Sequence, residues 1–149
     1  MKKLNHIHVS KEFSFYSVGE KTIDVPFYQS NVPAGFPSPA ENFMDLDLSL
    51  QDYLVQNPSA TFCVRVTGDS MKNAGISSGD VMIIDRSLEP KNNTIVLAVL
   101  DGEFTVKRIQ KKGDNLFLNP ENKDFKAIQI TEEMNFQVWG VVTHIIHKV

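Results

Sequence analysis

The sequence holds a single cysteine, Cys63, so no disulfide can form within the chain, and a reduced, cytoplasmic setting is the expectation. Basic residues are not in excess. Lys and Arg number 15 against 18 Asp and Glu, for a net charge of −3. Phosphate binding relies on clustered Lys and Arg, so bulk-charge attachment to nucleic acid is excluded, although a subunit that reaches DNA through a partner is not. Long apolar runs are missing as well. The longest, Ile95 to Leu100 and Val138 to Ile146, are strand-sized and well short of the roughly 20 residues that a membrane helix needs. Met1 to His8 carries two lysines but no apolar stretch behind them, unlike a secretory signal. A soluble protein with no membrane contact is expected. Internal repeats and low-complexity tracts are absent too.

Helical periodicity is equally scarce. One stretch, Leu48 to Gln56, reads as a helix, with Asp47 as cap, Leu50 and Leu54 four apart, and Pro58 beyond its end. Before it, residues 1–34 show only short apolar patches broken by Gly19 and Pro26. They read as an extended arm with strand-like pieces rather than the paired helices of a helix-turn-helix. In Val32-Pro33-Ala34-Gly35-Phe36-Pro37-Ser38-Pro39, three prolines fix φ and remove donors, so the segment favours an extended conformation. A plain linker and a peptide made to lie in a protease cleft share that pattern.

From Thr61 onward the pattern is that of strands. Phe62, Val64 and Val66 alternate onto one face. Val81–Ile84 and Thr94–Leu100 are nearly continuous apolar runs, as in strands buried on both sides. Asp101-Gly102 predicts a hairpin turn into Glu103–Ile109, and Lys112-Gly113-Asp114 predicts another. Leu116–Leu118, Phe125–Ile130 and Phe136–Ile146 complete a mostly β domain with one short helix.

Two residues could carry chemistry. Ser70, in Gly68-Asp69-Ser70-Met71, ends a strand on a turn, where nearby backbone N–H groups could serve an oxyanion. Taken singly, Gly-Asp-Ser marks no more than a turn whose serine bonds locally. Lys107, in Phe104-Thr105-Val106-Lys107-Arg108, alternates with Thr105 and Ile109, opposite Phe104 and Val106. A hairpin lysine is ordinarily solvated. Together they suggest a nucleophile and its base, because the Ser–Lys pair is a recognised variant of that arrangement. Such a lysine must be neutral to act. Bringing an ordinary lysine from about 10.4 to about 7 destabilises its ammonium by roughly 4.6 kcal/mol, which burial among apolar groups can supply.

Several motifs resemble the LexA/UmuD peptidase family: Gly68-Asp69-Ser70-Met71, Gly75-Ile76-Ser77-Ser78-Gly79-Asp80 and Phe104-Thr105-Val106-Lys107-Arg108, with Ser70 and Lys107 at 37 residues' separation. Gly35-Phe36-Pro37-Ser38-Pro39-Ala40, Pro58-Ser59-Ala60-Thr61, Asp101-Gly102-Glu103 and Gly140-Val141-Val142-Thr143-His144 point to its polymerase-accessory branch. The resemblance spans about residues 34–149. It implies the twisted β-rich fold of that family, a homodimer, and Ser70 as the nucleophile that cuts the chain's own Ala34–Gly35 bond. Lys107 would be general base and then general acid, with the backbone N–H groups of Asp69 and Ser70 as oxyanion donors. Cleavage would be stimulated by a RecA–single-stranded DNA filament. Residues 1–34 would be the arm removed, and 35–149 a Ser–Lys peptidase and dimerisation domain serving a UmuC-like translesion polymerase in SOS repair and mutagenesis. Polymerase-accessory members often carry cysteine before the scissile glycine. Ala34 stands there instead, as in LexA repressors, which leaves a repressor as the alternative.

No cofactor or metal is expected. His6 and His8, and His144 and His147, lack cysteine partners at ligand spacing. Cys63 reads as a strand or interface residue, Asp85-Arg86 and Lys111-Lys112 as solvated turn charges, and Phe125, Phe136 and Trp139 as core or dimer surface.

Overall fold

The structure is a computed structural model that describes residues 13–17, 19, 24–28, 34–35 and 44–149. Strand β1 is Phe13–Ser17, β2 Asp24–Tyr28 and β3 Met44–Ser49, followed by helix α1, Leu50–Leu54. Seven more strands follow: β4 Thr61–Val66, β5 Val81–Asp85, β6 Ile95–Leu100, β7 Glu103–Lys112, β8 Asn115–Asn119, β9 Ile128–Ile130 and β10 Phe136–Ile146. Short 3₁₀ turns lie at Pro58–Ala60 and Lys72–Ala74. The expected mostly β fold with one short helix is what forms among the described residues.

The chain divides into two compact units: β1 with residues 57–149, and the unit within residues 19–56 that carries β2, β3 and α1. In the larger unit eight strands form one antiparallel sheet in the order β1-β4-β5-β10-β6-β7-β8-β9. In the smaller unit β2 and β3 pair with each other. The Ala34–Gly35 bond lies in the sequence between those two strands.

The helix is shorter than Leu48–Gln56 and is capped differently. Ser49 is the cap, with its Oγ accepting the Asp52 N–H at 3.3 Å, while Asp47 lies within β3. Met44-Asp45-Leu46-Asp47-Leu48 alternates with period two, and β2 supplies strand partners as far as Ser49, which leaves one turn and a half for the helix. β9 is also shorter than Phe125–Ile130. The Phe125 N–H is taken by the Asn122 carbonyl at 3.2 Å, so a turn claims the donor that a strand would have used. Phe125 is exposed, whereas Phe136 and Trp139 pack against the core.

Both faces of the central strands are covered. Leu97 joins a cluster with Val64, Val66, Met71, Ile76, Met82, Ile84, Phe104 and Val106. Its neighbours Val96 and Ala98 point the other way, into a second cluster with Ile109, Leu118 and Val141. Each Val, Leu, Ile, Met or Phe among them that is fully withdrawn from water contributes about 1.5–3 kcal/mol. Both predicted hairpin turns form. Asp101 at φ 50° and Gly102 at φ 86° join β6 to β7, and Gly113 at φ 59° joins β7 to β8.

Asp85 is not the solvated turn charge that its neighbourhood suggested. It closes β5 opposite both Thr61 and Val141, and is only 2% exposed. Its carboxylate accepts Asn57 Nδ2 at 2.7 Å, the Ser87 N–H at 2.8 Å and Ser87 Oγ at 2.6 Å. Arg86 and the pair Lys111 and Lys112 are exposed as expected, with the Arg86 guanidinium 4.9 Å from the centre of the Trp139 ring.

Candidate active site

β4 ends at Val66, and the chain leaves it through Gly68, at φ +100°, a region that only glycine adopts without strain. The Gly68 N–H is held by Ser78 Oγ at 3.3 Å. Beyond it the chain winds into the 3₁₀ turn, with Lys72 N–H bonding the Asp69 carbonyl at 3.2 Å and Ala74 N–H the Met71 carbonyl at 3.0 Å. Met71 and Ile76, 3% and 1% exposed, pin both sides of this turn into the first core cluster. Ser70, between exposed Asp69 and buried Met71, is half-buried.

Lys107 arrives from β7. Cross-strand from it is Val96, which is fully buried, and Lys107 itself is 9% exposed. Its Nζ donates to Ser70 Oγ at 3.1 Å, to Thr105 Oγ1 at 2.9 Å and to the Val106 carbonyl at 3.0 Å. All three are uncharged acceptors. Burial withdraws this amine from most of its water, and these hydrogen bonds hold it on the serine. Strand alternation placed Lys107 with Thr105 and Ile109; the structure turns that face toward Ser70.

Three further residues of the site escaped the sequence reading. Thr105 bonds the amine directly. The Glu121 N–H donates to the Ser70 carbonyl at 2.8 Å, and Asn122 Nδ2 to the Asp69 carbonyl at 2.9 Å. Asn119-Pro120-Glu121-Asn122 reads as a turn with an Asx cap. Which distant carbonyl that cap would meet is invisible until β8 is in place. Glu121 also pairs with Arg108, whose Nη1 donates to the Asn93 carbonyl at 2.7 Å.

Behind the turn, the Ser77–Asp80 loop is fixed by a buried carboxylate. Asp80, 4% exposed, accepts the Ser77 N–H at 2.7 Å and meets His147 Nδ1 at 2.6 Å. Burial alone would push the Asp80 carboxyl up. The Ser77 N–H and the His147 ring outweigh it and hold the group below the usual carboxylate range. His147 therefore has a structural partner, and His144 contacts Thr143 Oγ1 at 3.1 Å. His6 and His8 lie outside the described residues, and among those described no three His, Cys, Asp or Glu side chains are grouped to hold a metal. Cys63 is half-buried in β4, and burial pushes its thiol up, which disfavours a reactive thiolate.

Ala34 and Gly35 are both exposed and form a bend within the smaller unit. The flanking prolines lie outside the described residues. Ser70 and Lys107 are thus brought together in one unit, and the expected scissile pair belongs to the other.

Residues 26–143 match the Peptidase S24-like family. The chain belongs to that family. The match spans Ser70, Lys107 and the Glu121–Asn122 turn. Among relatives of this S24 chain, protein MucA of Escherichia coli is 42% identical over 132 residues, covering 87% of this chain and 90% of that protein. Protein SamA of Salmonella typhimurium is 45% identical over 123 residues, covering 83% and 85%. The LexA repressor of Mannheimia succiniciproducens is 35% identical over 119 residues, 78% of this chain but only 55% of the repressor. The LexA/UmuD resemblance read from the motifs is borne out, and with it a UmuD-type peptidase assignment. No helix among the described residues is long and apolar enough to cross a membrane.

Proposed function

We propose that this S24-family chain is a Ser–Lys peptidase that cuts its own Ala34–Gly35 bond. The observation that carries the reading is the buried Lys107 amine 3.1 Å from Ser70 Oγ. In its neutral form the amine can donate to Thr105 Oγ1 and the Val106 carbonyl while its lone pair accepts the Ser70 hydroxyl proton. Ser70 Oγ then attacks the Ala34 carbonyl carbon. The oxyanion that forms is held by the N–H groups of Asp69 and Ser70, for which no acceptor occurs among the described residues. As the intermediate collapses, the bond to Gly35 nitrogen breaks and the Lys107 ammonium returns the proton to the leaving amine. Water, deprotonated by the same lysine, hydrolyses the Ala34 ester and frees Ser70.

Cleavage divides the chain into an arm, 1–34, and a product, 35–149. We assign the product to a homodimeric, cytoplasmic subunit of an error-prone translesion polymerase with a UmuC-like catalytic partner, formed in the SOS response when a RecA–single-stranded DNA filament stimulates the cut. Kinship with MucA and SamA over most of both chains supports this over a repressor. Residues 13–17 and 24–28 are strands, where a helix-turn-helix would need helices. The test incubates the purified chain with RecA, single-stranded DNA and nucleotide, and sequences the fragments. A new N-terminus at Gly35 is expected, with Ser70→Ala and Lys107→Ala inert. An intact chain, a cut elsewhere, or a Ser70→Ala protein that still cleaves refutes the assignment. Specific operator binding by the intact protein would favour the repressor.

A further inference from the structure

We propose that Asn122 is a positioning residue that aims the Ser70 N–H at the oxyanion, acting through the Asp69 carbonyl; this rests on the Ser70–Lys107 peptidase reading. A peptide unit is rigid and planar, so the carbonyl of one residue and the N–H of the next point in opposite directions on one plate. Whatever grips the Asp69 carbonyl therefore sets where the Ser70 N–H points. Asn122 grips it from 53 residues away, at 2.9 Å, closer than the Lys72 N–H at 3.2 Å.

The Asn122 side chain is built for this. It is 6% exposed, and its Oδ1 accepts the Asp124 N–H at 3.1 Å, which fixes the amide with its Nδ2 toward Asp69. The adjacent plate is clamped in the same way. The Glu121 N–H holds the Ser70 carbonyl at 2.8 Å, and the Asn73 N–H holds the Glu121 carbonyl at 2.9 Å, closing a ring between the two turns. Asp69 is exposed, so apolar packing does not hold its peptide in place. A hydrogen bond to a carbonyl also polarises its peptide and makes the attached N–H a stronger donor. Asn122 thus touches neither the reacting bond nor Lys107, yet it governs one of the two donors the oxyanion would meet.

The decisive variant is Asn122→Leu, which keeps the shape and adds no charge while removing both the donor to the Asp69 carbonyl and the acceptor of the Asp124 N–H. First-order self-cleavage rates are measured from pH 7 to 11, well below each protein's melting midpoint. Deleting an oxyanion donor outright costs about 100- to 1000-fold, so misaiming one is expected to lower the plateau rate about 10- to 100-fold. The pH of half-maximal rate, set by Lys107, stays where it is in the wild type. A residue that merely supports the fold would lower the melting midpoint and leave the plateau rate of the folded protein intact. A plateau within twofold of wild type, or a loss that appears as a shifted pH profile, overturns the proposal. Asn122→Ala repeats the test should leucine not fold, and if neither variant unfolds cooperatively Asn122 is scaffold and the proposal falls. Ser70→Ala is run alongside. Should it cleave, the peptidase reading itself fails; should it be inert while Asn122→Leu cuts normally, only the positioning role fails.

Discussion

Replacing Asp85 by asparagine tests whether its buried carboxylate, as a charge, ties the chain entering β4 to the end of β5. Three donors converge on it, from Asn57 Nδ2, Ser87 N–H and Ser87 Oγ, at 2.6 to 2.8 Å. Burial by itself would raise this carboxyl. The hydrogen bonds from the Ser87 hydroxyl, from Asn57 and from the Ser87 backbone outweigh it and hold the group below the usual carboxylate range. Asp85→Asn keeps one acceptor oxygen, and Asn57 can turn its amide to face the new NH₂. What is lost is the charge assistance, about 1 kcal/mol for each of two or three bonds, offset in part because a neutral amide is easier to bury. The expected cost is about 2 kcal/mol at pH 7, which moves a urea midpoint down by about 1 M. The sign with pH follows from linkage. A carboxyl whose folded pKa is depressed stabilises the fold above its unfolded value, about 3.9, and that contribution is lost as pH falls through the folded value. The gap between wild type and Asp85→Asn should therefore be full at pH 7 and narrow below about pH 4, while Asp80 titrates alike in both. Equal midpoints at pH 7, or a gap undiminished at pH 3, would mean that the Asp85 charge does not stabilise the fold.

Two other outcomes are expected. A Cβ at Gly140, in the β10 bulge, would lie 2.5 Å from Ile84 Cγ2 and 3.1 Å from the Asp85 carbonyl, so Gly140→Ala should cost about 1–3 kcal/mol. An Ile84→Ala background should relieve much of that cost, and a thermal midpoint unchanged by Gly140→Ala would count against the packing described. The proposed cut falls between β2 and β3, while β1 pairs with β4 and β2 with β3 over five positions each. The severed 1–34 fragment should therefore co-elute with 35–149 under native conditions and separate in urea; immediate separation after cleavage would show that these pairings do not hold it.

Strands could be read wherever the pattern had one dominant period and a turn with its own chemistry. Asp101-Gly102 and the runs Val81–Ile84 and Phe136–Ile146 formed where expected. The helix is shorter than its sequence pattern predicts because Leu50 and Leu54 fit a helical period while Met44 to Leu48 fit a strand period. The presence of β2 as a partner decided between them. Asp85 is buried where its neighbourhood predicts solvent because a sequence shows a charge but not the donors, such as Asn57, that a fold collects around it.

For Ser70 and Lys107 the division is similar. Residue order alone places a serine at the end of a strand on a glycine-led turn and a lysine in a hairpin strand, because turn chemistry and alternation are local properties. Their family likeness was legible in the same residues. Packing turns the lysine's face inward, brings its amine to 3.1 Å from the serine, and lets Glu121 and Asn122 grip the backbone at Asp69 and Ser70. Burial and the meeting of residues far apart in the chain follow from how β7 and β8 pack beside the β4 exit, and no local period encodes that.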